Sequence, residues 1–246
     1  MLRRLEELMW PTAFAAVGLA VLIGLGTWQL ERRAWKLDLI AKIEARARAE
    51  PVPLAAAIAA WRRTGDIEYT RVRAKGRFRH DRESYVYMPG KEGPGYHVYT
   101  PLETADRQLL LVNRGFVPEA LKSPDRRSPG QVAGEVEVVG LARGPGEKGW
   151  FTPESDVAHN LYFWPDHAGM LAAVLAGAKE RPGLVPFLVD AAAEPGNPGG
   201  WPRGGTTRLE LPNRHFEYAL TWFGLAATLC GVFLVFAWGR LRPVPG

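Results

Sequence analysis

Cysteine is almost absent from this chain. The single thiol, Cys230, lies inside an uncharged apolar window, so the polar remainder can form neither an intramolecular disulfide nor a thiolate metal site. Cysteine usage therefore says nothing of redox compartment. Catalytic and nucleotide-binding signatures are missing too: there is no GxSxG, HExxH, Walker loop, GxGxxG ahead of a helix, or CxxCH. The carboxylates are scattered through stretches of strand and turn character, and none can be paired as acid and base. The composition also lacks a strong surplus of one charge. Net charge is +5, and 27 of the 31 basic and 24 of the 26 acidic residues lie between 31 and 217. That near-balance is not a nucleic-acid footprint. We therefore expect no nucleic-acid partner and no enzyme.

The mean hydropathy of −0.14 hides two windows without any charge. Met9–Leu30 and Tyr218–Trp238 each exceed 20 residues, and at ~1.5 Å rise per residue each covers a bilayer core of ~30 Å. A cleavable signal peptide is the alternative for the first window. The length of its apolar run, Glu6 and Glu7 in the leader, and the ending Thr27-Trp28-Gln29-Leu30, which lacks a small-x-small pattern, all favour an uncleaved anchor. The expected class is a membrane α+β protein. Two transmembrane helices, one near each terminus, flank a β-rich extracytoplasmic domain with a few short helices. The boundaries are a cytoplasmic tail 1–8, a span 9–30, an outer domain 31–217, a span 218–238 and a cytoplasmic tail 239–246. Arg240 and Arg242 favour tails inside; Arg32, Arg33 and Lys36 count against it, but a region this long translocates largely regardless of its charge.

Within the outer region, Glu31–Ala49 keeps helical character, Pro51 and Pro53 break it, and Leu54–Trp61 forms a short helix. Strand patterns follow over 69–78, 84–88, 96–102, 108–117 and 132–142, separated by Pro-Gly turns. A helix is expected over Pro165–Ala176, a strand over 185–190, and a last strand over Thr206–Leu211. The Gly- and Pro-rich stretch 194–205 reads as a flexible loop.

Of the five histidines, His80, His97, His159 and His167 lack ligand-like spacing and read as structural. His215 differs in position, because it stands three residues before the second apolar window. A helix starting near Asn213 puts His215, Tyr218, Ala219 and Trp222 on one face at the membrane interface. Two readings stay open: an interfacial belt of amphipathic rings, or an axial ligand to haem iron with the macrocycle lying against Tyr218 and Trp222.

Several segments together resemble the Surfeit locus protein family, the membrane-bound assembly factors of haem-copper oxidases. In order they are Leu25-Gly26-Thr27-Trp28-Gln29-Leu30-Glu31-Arg32-Arg33-Ala34-Trp35-Lys36, Gly76-Arg77-Phe78, Val112-Asn113-Arg114-Gly115-Phe116-Val117-Pro118, Gly149-Trp150-Phe151-Thr152-Pro153, Asn160-Leu161-Tyr162-Phe163-Trp164 and Asn213-Arg214-His215-Phe216-Glu217-Tyr218-Ala219-Leu220-Thr221-Trp222-Phe223. Phe116 stands where tryptophan is commoner, and Arg214 where asparagine is expected. The resemblance implies assistance in building subunit I of cytochrome c oxidase. Bacterial members are proposed to bind haem a transiently and present it for insertion, and the proposed ligand maps to His215. On that reading Trp28 walls the porphyrin and Arg32 contacts a propionate; the plain alternatives are a belt tryptophan and an interfacial arginine.

Implied partners are oxidase subunit I, haem a synthase as donor, and the lipid bilayer. The first eight residues, too short and too acidic for a mitochondrial transit peptide, imply a bacterial cytoplasmic membrane with the main domain on the periplasmic side. Two rival functions remain. One is a haem-independent scaffold for a subunit I intermediate. The other is a haem-modifying membrane enzyme, which would need a further ligand or redox group in the spans, where Cys230 reads better as a small packing residue.

Overall fold

The two apolar windows lie in the two longest helices of the computed structural model, α1 (Leu2–Arg48) and α4 (His215–Leu241). The structure describes residues 2–90, 93–178, 181–209 and 211–241. Arg242 of the basic tail lies outside the described residues. The chain divides into two compact units, Met1–Lys42 with Glu210–Gly246, and Ile43–Leu209.

The first unit is a helix pair. Covered positions on α1 recur at Leu8, Pro11, Ala15, Gly18, Leu22, Gly26 and Gln29, and on α4 at His215, Ala219, Trp222, Phe223, Ala226, Leu229 and Cys230. This three-and-four spacing defines one seam per helix. The pair approaches closely because the seam is lined with small residues. A Cβ at Gly26 would lie 2.7 Å from the Phe223 ring, and one at Gly18 2.9 Å from Leu229. Outside the seam, large apolar side chains such as Phe14, Val17, Leu234 and Val235 are exposed. Both helices are long and apolar enough to cross a bilayer, with only 11% of each apolar window buried. A surface of that kind calls for lipid, and the chain is a membrane protein. Thr12, Thr27, Thr221 and Thr228 each donate their hydroxyl to the carbonyl four residues back, so these four hydroxyls need no water.

The second unit is built on strands β1 (Val52–Pro53), β2 (Arg71–Phe78), β3 (Ser84–Gly90), β4 (Gly93–Glu103), β5 (Gln108–Pro118), β6 (Glu135–Arg143), β7 (Leu161–Tyr162) and β8 (Gly183–Ala191). Five of them close a barrel in the order β2-β6-β8-β5-β4, with β4 returning to β2 through Arg77↔Glu103 and Phe78↔Leu102. All these pairings are antiparallel except β5 with β8. Outside the ring, β3 continues from β4 and β7 from β3, while β1 adds to β2.

The two-residue side-chain period of a strand explains the filling. Val72 and Ala74, Leu110 and Val112, Val138 and Ala142, and Val185, Phe187 and Val189 point into the barrel. Helix α2 (Leu54–Thr64) closes it with Leu54 and Ala57; α2 itself ends where Gly65, at φ +68°, donates its N–H to the Trp61 carbonyl. The alternate residues Leu109 and Leu111 pack outward beneath Met170 and Leu171 of α3 (His167–Leu175). Burying two such side chains contributes roughly 1.5–3 kcal/mol each. The Asp166 carboxylate caps α3 by accepting from the Gly169 N–H at 2.9 Å.

Two expectations for the chain beyond β8 are corrected. No strand forms over Thr206–Leu211: residues 206–209 and 211 have no regular structure, and Glu210 lies outside the described residues. Thr207 Oγ1 instead donates to Asp190 at 2.8 Å, fastening this segment by a side chain rather than by a ladder. The 194–205 stretch is not a free loop. Arg203 and Phe116 exchange backbone hydrogen bonds at 2.9 Å, and Trp201 packs on the Tyr85, Tyr96, Val98 and Val117 cluster.

Candidate functional site

In the helix pair, the feature that departs most from an apolar seam is a polar contact. Gln29 Oε1 lies 2.7 Å from His215 Nδ1. Gln29 is only 9% exposed, on the last covered position of the α1 seam, and His215 opens α4 on the facing seam. An unpaired carboxamide in an apolar surrounding costs on the order of 1–3 kcal/mol, so the pairing explains how Gln29 is tolerated there. A carboxamide oxygen only accepts. With it turned toward the ring, the contact is one in which Nδ1–H donates, and in that tautomer the lone pair is on Nε2. A histidine that ligates a metal through Nε2 commonly has its other nitrogen oriented by a partner in this way.

The remaining candidates are arranged around this pair at different depths. Trp222 lies half-covered on the same face as His215 and Ala219, whereas Tyr218 is on the flank at 52% exposure. Trp28 is likewise 52% exposed, and the Arg32 guanidinium stacks 3.9 Å over the Trp35 ring. Arg33 lies 5.3 Å over Phe216, and Arg214 Nε donates to Glu217 at 2.9 Å. The structure thus brings His215 to Gln29, a partner that sequence reasoning missed. Its signal was the one uncharged amide at the end of an otherwise apolar run, a side chain that needs a partner in a membrane.

The residue types fit a haem carrier: an imidazole at the start of α4, Trp222 on the same helix face, and arginines flanking the two apolar windows for carboxylates. Among the described residues, no group of three or more His, Cys, Asp or Glu could hold a metal ion.

A second polar cluster is buried in the barrel unit. Glu83 accepts both arms of Arg127, Nη1 at 3.3 Å and Nη2 at 2.5 Å, together with Tyr85 Oη at 3.0 Å and Gln131 Nε2 at 3.3 Å. Arg114 Nη1 lies 3.7 Å from the same carboxylate. Its Nη2 donates to the Gly130 carbonyl and, at 2.7 Å, to Asn197 Oδ1, while the guanidinium covers the Phe78 ring at 4.7 Å. Burial alone would raise the Glu83 pKa, but hydrogen bonds from His80 and Arg127 and the Arg127 charge bring it down to about 2. Burial draws Arg114 down to about 10. These groups stitch the 124–130 and 194–205 segments onto the barrel. Their geometry is that of a structural fastener: the Arg127 donors and Arg114 Nη2 meet protein oxygens, while the buried Arg114 Nε has no hydrogen-bond partner.

Residues 16–227 match the family model described as the SURF1 family. Among curated relatives, Surfeit locus protein 1 of Rattus norvegicus is 36% identical, over 92% of this chain and 74% of the relative. The Mus musculus protein of the same name is 39% identical over 85% and 69%, and that of Homo sapiens 37% over 91% and 75%. A family match over residues 16–227, with relatives 36–39% identical over most of the chain, settles the family: this chain belongs to the SURF1 family.

Proposed function

We propose that this chain is an assembly factor for a haem-copper terminal oxidase, cytochrome c oxidase, which holds haem a through His215 and presents it to subunit I. The observation that carries the haem part is the Gln29–His215 hydrogen bond of 2.7 Å, because it occupies Nδ1 and leaves Nε2 as the nitrogen that would ligate. Family membership supports the oxidase part. Haem a would supply an iron centre, which His215 would hold. The residues of this chain then do three things. Gln29 orients the imidazole, Trp222 and Trp28 offer ring surface, and Arg32 and Arg33, stacked on Trp35 and Phe216, and Arg214, paired with Glu217, are the cations that would turn to carboxylates. A single protein ligand suits a carrier, since cargo held by one bond can be released, and the role is binding rather than catalysis.

In this reading 9–30 and 218–238 cross the bacterial cytoplasmic membrane, with both tails inside and 31–217 on the periplasmic side, where haem a synthase would hand over its product. The test is an absorption spectrum of protein purified from cells that make haem a. Stoichiometric haem a is expected, and its loss in His215→Ala. No bound haem a, or undiminished binding by the variant, would overturn the carrier reading in favour of the haem-independent scaffold. Gln29→Leu keeps the ligand but removes its orienting acceptor, and is expected to weaken haem a binding about 10–100-fold, measured by titrating apo-protein.

A further inference from the structure

Trp150 and Phe151 are 93% and 94% exposed, although a folding chain ordinarily covers such rings. They occupy the two corners of a turn closed by the Thr152 N–H donating to the Gly149 carbonyl at 3.0 Å. Turn corners ordinarily carry Gly, Pro, Asn or Asp, for reasons of backbone geometry that large rings do not serve. Below the corners Lys148 Nζ pairs with the Glu154 carboxylate across the turn, and on its C-terminal side Asp156 and Leu161 exchange backbone hydrogen bonds at 2.8 and 2.9 Å. The Asp156 carboxylate also lies 2.7 Å from the His159 ring. The two rings are therefore displayed on a braced tip, which lowers the ordering cost of inserting them into something else.

What they fit is narrowed by the charge beside them. Over residues 147–156 the carboxylates Glu147, Glu154 and Asp156 outnumber the one cation, Lys148. Anionic headgroups would repel such a segment, whereas a protein cleft with an apolar floor and a basic rim would attract it. We propose that residues 147–156 are a protein-docking element, with Trp150 and Phe151 entering an apolar, basic-rimmed cleft on the oxidase subunit under assembly. The identity of that partner rests on the assembly role proposed above.

The test places a photoreactive benzoylphenylalanine at position 150 of the full chain in its own membrane. A cross-link to an oxidase subunit is expected. Adducts with lipid only, with the same chain, with a second copy or with some other protein overturn the proposal, as does no adduct at all. Co-purification of oxidase subunits with the unmodified chain is measured alongside. If they co-purify but do not cross-link, the docking element is wrong and the assembly role stands; if they do not co-purify, the assembly role itself fails. The doubly substituted Trp150→Ala, Phe151→Ala chain should capture at least about ten-fold less oxidase subunit, since buried aromatic anchors dominate interfaces. Its melting temperature should stay unchanged because neither ring packs on its own domain, and unchanged capture would overturn the proposal.

Discussion

Glu83→Gln is expected to lower the stability of the barrel unit by about 3–5 kcal/mol, the range found when one member of a buried ion pair is removed. The substitution keeps the shape and loses the charge. Arg127 and Arg114, whose side chains are each 1% exposed, would then remain buried with no anion between them. A urea titration of the full chain in detergent, followed by near-ultraviolet circular dichroism, measures the effect; a loss below about 1 kcal/mol would show that the pair is not a fastener. The same group gives an acid dependence. Its folded pKa is depressed from 4.5 to about 2, so its contribution is complete above the unfolded value and is lost as pH falls from about 4.5 toward 2. The Gln variant should show a flatter stability curve across that window.

Gly115→Ala should be at least as damaging, on the order of 4 kcal/mol or more. The glycine sits inside β5 at φ +114°, a conformation closed to other residues, and a Cβ there would lie 1.9 Å from the Arg203 carbonyl oxygen. That oxygen accepts the Phe116 N–H, so the variant must break the 116–203 bridge or distort β5. Limited proteolysis should reveal new cleavage within 194–205, accompanied by a shift in Trp201 fluorescence. A variant as resistant as the parent would refute the assignment.

Much of the architecture was legible because it rests on local periodicity. Charge-free length marks α1 and α4, β-type runs bounded by Gly and Pro turns locate the strands of the barrel, and helices form at Leu54–Thr64 and His167–Leu175, where 54–61 and 165–176 are expected. What stayed hidden depends on contacts distant in sequence. The run Asn113-Arg114-Gly115-Phe116 carried only a family resemblance, yet each residue answers to a partner: Asn113 to Asp190 at 2.9 Å, Arg114 to Asn197, and Gly115 and Phe116 to the Arg203 backbone. Glycine and proline over 194–205 announce the absence of regular structure, and that was misread as absence of order. Glu83 is one carboxylate among many until the fold buries it between two arginines. At the candidate site, His215 was visible from its place before an apolar run. Gln29 was not, because a pairing 186 positions apart leaves no local pattern.

The closed barrel has a bearing on how this protein can be recognised. Among the described residues, the sheet ends on both sides in strands of two residues, β1 and β7. β7 covers only Tyr85 and Val86 of β3, and of the four residues beyond, Pro89 has no N–H to offer. Another chain would find few free backbone groups to extend the ladder, so both strand addition by a client and edge-to-edge aggregation are disfavoured. Selectivity in any complex must then be written in side chains.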